Sequence, residues 1–134
     1  MIAFILGLMV SVAMIFITLL LNKYFTTKLI AAATLAAIAF IYVGLALKDN
    51  TILVMLLEIS VAMLFFFLAI VGYTRRAPLL GYGVILHGIW DIFHHHGLMI
   101  STNIPFYWPV FCLTVDLVYG FYLLYIFKKL PARI

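Results

Sequence analysis

Five apolar runs divide this chain of 134 residues, at 2–21, 29–47, 51–73, 78–99 and 107–127, with polar, proline or glycine punctuation between them. A helix needs about 20 such residues to cross the hydrocarbon core of a bilayer. A transmembrane barrel strand would instead alternate apolar and polar residues over about 10. The expected fold is therefore all-α, an integral membrane bundle of five transmembrane helices forming one polytopic domain over residues 1–134. Composition agrees, since 69% of the residues are hydrophobic and 9% charged, against about half and a quarter in soluble domains. No soluble catalytic domain fits into what the spans leave over. The first run lacks the basic start and the cleavage site of a signal peptide, and is read as a retained helix.

A net charge of +4 would suggest nucleic acid in a soluble protein. Here the basic residues border apolar runs, where they set orientation, so no nucleic-acid partner is expected. Five spans put Lys23, Lys28, Arg75, Arg76, Lys128, Lys129 and Arg133 on one side and Lys48 on the other. By the positive-inside rule the N-terminus is outside and the C-terminus cytoplasmic. Tyr24, Tyr73 and Tyr125 then belong to an inner aromatic belt, and Tyr107 with Trp108 to an outer one. The lone cysteine, Cys112, excludes an internal disulfide framework.

The first two spans carry no acidic, basic or imidazole side chain, and their polar content is Ser11, Thr18 and Thr34. Ala32/Ala36 and Ala33/Ala37 stand at the small-xxx-small spacing that lets helix backbones approach closely in lipid. These spans are read as scaffold. The other reading is a dimerisation face, which leaves a homo-oligomer open.

The last three spans hold Glu58, His87, Asp91, His94, His95, His96 and Asp116, and ionisable groups at membrane depth mark sites. At about 100° per residue, His87, Asp91 and His94 fall within about 60° of one another, His95 lies at the margin and His96 points away. Glu58, Asp91 and Asp116 reach similar depth from the same side. Every Lys and Arg lies at a span end or in a loop, so neutralisation falls to protons, to histidinium or to a metal. Nitrogen and oxygen ligands suit a divalent ion such as zinc, manganese or iron, with zinc or iron favoured. The expected metal ligands are His87, Asp91, His94, His95 and Asp116, and Glu58 is the expected catalytic acid/base. The plainer readings are that His95 and His96 are hydrogen-bonded histidines near an interface, and that Trp90 and Trp108 serve packing or the belt. Cys112 is either a small hydrophobe or a soft extra ligand.

The string HGIWDIFHHHG from His87 and the segment IPFYWPVFCLTVDLVYG ending at Gly120 resemble the small bacterial membrane proteins called the domain of unknown function 6010 family. The resemblance lies in an H-x-x-W-D-x-x-H-H block, a Pro-aromatic loop and a Cys four residues before an Asp, at His87, Trp90, Asp91, His94, His95, Cys112 and Asp116. It covers roughly residues 81–120. Members often carry a second Cys directly before the Asp, where this chain has Val115. The resemblance implies a multi-pass protein of the bacterial inner membrane, whose motif residues act as one unit, and it implies no activity.

The function expected first is a metalloenzyme, a hydrolase or oxidoreductase, acting on a lipid or other apolar small molecule that enters sideways from the outer leaflet. Three others stay open: a metal-free acid/base isomerase of a sterol- or isoprenoid-like substrate, a proton or metal transporter, and an assembly subunit. No G-x-S-x-G motif supports covalent catalysis.

Overall fold

The computed structural model describes residues 1–48, 52–95 and 104–129. It is helical, with α1 (Ile2–Leu21), α2 (Thr27–Ala39), α3 (Ile41–Ala46), α4 (Ile52–Thr74), α5 (Pro78–Phe93) and α6 (Trp108–Lys129). The segments α2 and α3 together make one pass, Thr27–Ala46, so the chain has the expected five passes. Four are long and apolar enough to cross a membrane, and α5 is shorter, at 16 residues, about 24 Å at 1.5 Å per residue. In lipid only a backbone that bonds to itself avoids unpaired N–H and C=O groups, which is why continuously apolar runs become helices here.

Local chemistry sets where the helices start and stop. The Thr26 hydroxyl accepts from the Leu29 N–H at 3.2 Å and starts α2. Pro78 stands in the first turn of α5, where its missing N–H costs nothing. The span expected at 78–99 ends as a helix at Phe93. There the N–H groups of His94 and His95 bond back only three residues, to Asp91 and Ile92, the tightening that closes a last turn. His94 is the C-cap and His95 follows it, and 96–99 lie outside the described residues. The second pass breaks at Phe40 (φ −94°, ψ 1°) with neither Pro nor Gly at the break, and the Phe40 ring meets Phe66 of α4 edge-on at 6.1 Å. Beyond the break α3 turns Tyr42 and Ala46 inward.

Helices associate in lipid through close packing at small residues. The tightest seam is a glycine seam between antiparallel α5 and α6. A Cβ on Gly81 or on Gly120 would lie 3.1 Å from the other's carbonyl oxygen, and one on Gly88 would lie 2.9 Å from the Asp116 Cβ. The alanine spacing of the second pass serves differently, since Ala33 and Ala37 line an open apolar groove between α1 and α2. Along α1, Gly7 lies against Thr114 and the Thr18 hydroxyl bonds to that of Tyr119 at 2.9 Å. Contacts advancing together make α1 and α6 parallel, as an odd number of passes requires. At one end Lys28 sits over the Tyr73 ring, Lys23 over Tyr24 and Lys129 over Tyr125, the three tyrosines expected in one belt.

The outer surface carries Leu, Ile and Phe, whereas Glu58, His87, Asp91, His94 and Asp116 are buried. That is inside-out relative to a protein in water. The seam yields a prediction. A Cβ at position 120 would stand 2.6 Å from the Ile85 Cγ1 and 3.1 Å from the Gly81 carbonyl, and backbone cannot move aside. Gly120→Ala is expected to destabilise the protein by about 1–3 kcal/mol, while Gly44→Ala, with nothing within 4 Å, is neutral. Thermal unfolding in detergent reads both, and equal effects would refute the seam.

Candidate metal centre

The glycine seam brings the chemistry together. With no side chain at Gly88 between the helices, Asp116 of α6 reaches the His87 ring of α5, and its Oδ2 lies 2.7 Å from Nδ1. With Asp116 ionised, Nδ1–H is the donor and the lone pair of the ring sits on Nε2. That Nε2 is buried and has no hydrogen-bond partner. One turn further along α5, Asp91 is 0% exposed, and neither of its oxygens is in a full hydrogen bond. One ligand atom from each of His87, Asp91 and Asp116 lies within 4.8 Å of the others.

A second pair stands beside this group. Glu58 Oε1 lies 2.8 Å from His94 Nε2, and the Trp90 indole N–H donates to Glu58 Oε2 at 3.4 Å. His94 Nδ1 lies 3.2 Å from the Trp90 carbonyl, and as a donor there it leaves Nε2 to accept, so that Glu58 would hold the shared proton. Tyr42 links the two clusters. Its ring stacks on His94 at 3.7 Å between centroids and tilts against His87 at 6.3 Å. Its buried hydroxyl faces the Asp91 carboxylate, its hydrogen-bonding neighbour, though the contact is too loose for a full hydrogen bond.

An isolated carboxylate in a low-dielectric interior is strongly disfavoured, and a buried polar atom without a partner costs on the order of several kcal/mol in hydrocarbon. Among the described residues the buried carboxylates meet histidines, His87–Asp116 and His94–Glu58, and no Lys or Arg takes part. A divalent cation taking one ligand atom from each of His87, Asp91 and Asp116 would replace the His87–Asp116 hydrogen bond and give the Asp91 carboxylate a partner, and the two aspartates would balance its charge. Three nitrogen and oxygen donors with a position left over are the ligand count of a catalytic rather than a structural site.

Of the residues expected as ligands, the structure brings His87, Asp91 and Asp116 together. His94 is turned to Glu58 of α4 and is not a member of the ligand group. His95 is half-buried with its ring edge-on to Phe106 at 5.4 Å, away from the ligand group. His96 lies outside the described residues. Cys112 is a half-buried free thiol and not a member of the ligand group. Trp90 does more than pack, through its bond to Glu58, whereas Trp108 stacks loosely on Phe111 at 5.8 Å. Sequence reasoning missed Tyr42. The available signal was a hydroxyl-bearing aromatic set inside an apolar run, in a span otherwise read as scaffold.

An apolar groove of about 400 Å3 runs between Leu64 and Leu68 of α4 and Leu86 and Phe93 of α5. Its wall includes Phe65 and Trp90. Phe65 meets His87 edge-on at 5.2 Å, and Trp90 holds Glu58, so two wall residues of the groove separate it from the two clusters. No family model, curated protein or solved structure matches the chain.

Proposed function

We propose that the protein is a membrane-embedded metalloenzyme whose divalent ion, zinc or iron, is held by His87, Asp91 and Asp116, and whose substrate is a lipid or another apolar molecule. The observation that carries this reading is the Asp91 carboxylate, fully buried with neither oxygen in a full hydrogen bond and grouped with His87 and Asp116. When bound, the ion supplies Lewis acidity or an activated water. Glu58, held by His94 and Trp90, keeps a proton at Oε1 or gives it up, the acid/base role. The α4/α5 groove supports sideways entry of a hydrocarbon chain, with Phe65 and Trp90 excluding water at its inner end. On the expected orientation the centre lies in the outer half of the membrane.

Elemental analysis of protein purified in mild detergent without chelators tests the reading. About one zinc or iron per chain is expected. A metal-free protein that cannot be loaded with either ion would overturn it and leave the acid/base isomerase.

A further inference from the structure

The groove between α1 and α2 is unused in the reading above. α1 packs chiefly on α6 and α2 on α4, so the two helices stand apart, and the apolar hollow of about 560 Å3 between them has Thr18, Thr34 and Tyr119 in its wall. No hydroxyl there is left to hold a ligand. Thr18 donates to the Met14 carbonyl at 2.8 Å and Thr34 to the Ile30 carbonyl at 2.9 Å, and the Tyr119 hydroxyl then donates to Thr18 at 2.9 Å. The groove therefore takes hydrocarbon. From Leu29 to Ala37 it follows α2 for about 12 Å at 1.5 Å per residue.

Phe25 lines this groove and also a second hollow, of about 420 Å3, which it forms with Asn22, Lys23, Tyr24 and Thr26 in the turn between the helices. The second hollow is polar. Lys23 is exposed there, and because the Asn22 side-chain oxygen accepts from the Thr27 hydroxyl at 3.0 Å, the Asn22 NH2 is left to donate. We propose that the two hollows hold one anionic phospholipid, with an acyl chain in the α1/α2 groove and the phosphate on Lys23 and Asn22 at the turn. This site is separate from the metal centre and does not depend on it.

Charge decides between the occupants. None of the acidic residues of the chain lies in α1, in α2 or between them, and Lys28, which sits over Tyr73 near the end of α4, brings further positive charge to this end together with Arg75 and Arg76. A second copy inserted in the same orientation would set its own basic end at the same level and add like charge. An anionic headgroup offsets that charge, as acidic lipids do in basic pockets between membrane helices. On the expected orientation this is the cytoplasmic end, where the leaflet supplies such lipids.

The test titrates the detergent-purified protein with dioleoylphosphatidylglycerol and with dioleoylphosphatidylcholine, which share their chains and differ in net charge, and reads bound lipid per chain by native mass spectrometry. Wild type is expected to bind one phosphatidylglycerol per chain, about fivefold or more tighter than phosphatidylcholine. Lys23→Gln is expected to lose about fivefold for phosphatidylglycerol and nothing for phosphatidylcholine. Ala33 is exposed in the groove, so Ala33→Phe fills the slot without entering the core, and is expected to lose about tenfold or more for both lipids. Wild type that binds neither lipid, or both equally, overturns the proposal. Unchanged phosphatidylglycerol binding in either variant overturns it as well. A wild-type dimer that Ala33→Phe dissociates does the same, since the groove then belongs to a second copy. If Ala33→Phe does not fold, wild type and Lys23→Gln decide.

Discussion

Asp91→Val is expected to abolish metal binding and, in the metal-free protein, to raise thermal stability. The two halves follow from one fact, that Asp91 is buried with neither oxygen in a full hydrogen bond. Without an ion only the loose contact with the Tyr42 hydroxyl offsets the carboxylate's removal from water, so an apolar residue of similar size is expected to stabilise by about 1–4 kcal/mol, as replacement of buried charged groups often does. With an ion the comparison reverses, because wild type gains binding energy that the variant cannot. Unfolding temperatures of wild type and variant, each with and without Zn2+, check both parts. A metal-free variant less stable than metal-free wild type would mean that the carboxylate has a structural partner. Retained stoichiometric metal would remove Asp91 from the centre.

Much of the architecture follows from runs of apolar residues, because in lipid the helix is the only way to satisfy the backbone of a single pass. The site was harder to read. His87 and Asp91 share a face because four residues nearly complete a turn, and both are buried. His94, the C-cap with helical dihedrals, stays near that face, yet its ring pairs with Glu58 of α4 and not with the other two. Which partner it takes depends on how α4 packs against α5, which the helical spacing of one chain segment does not reveal. Tyr42 continues the buried face of Thr27, Ala31, Leu35 and Ala39 across the turn at Phe40, so its inward position followed from helical spacing although its place beside Asp91 did not. The glycines were visible in the sequence, yet which of them meet depends on the register of α5 against α6. Ala33 and Ala37 have the better-known spacing and line a groove, while Gly81, Gly88 and Gly120 make the contact that brings Asp116 to His87.

The second large effect is expected at Glu58, and it separates the two clusters. Glu58 serves both the His94 ring at 2.8 Å and the Trp90 indole N–H at 3.4 Å. Glu58→Ala leaves both without their partner, at about 1–3 kcal/mol for each buried group, plus the space the side chain filled. Adding His94→Phe removes the stranded imidazole and keeps an aromatic ring against Tyr42, so the double variant should recover part of the loss. The coupling is read from unfolding of both single variants and the double. Metal content is the deciding measurement, because His87, Asp91 and Asp116 group without Glu58 or His94. Glu58→Ala should therefore hold its ion at wild-type stoichiometry while turnover of an added lipid pool falls by about 10²-fold or more, the scale of a lost acid/base. If metal disappears with Glu58, the two clusters are one centre and the assignment of Glu58 to proton transfer fails.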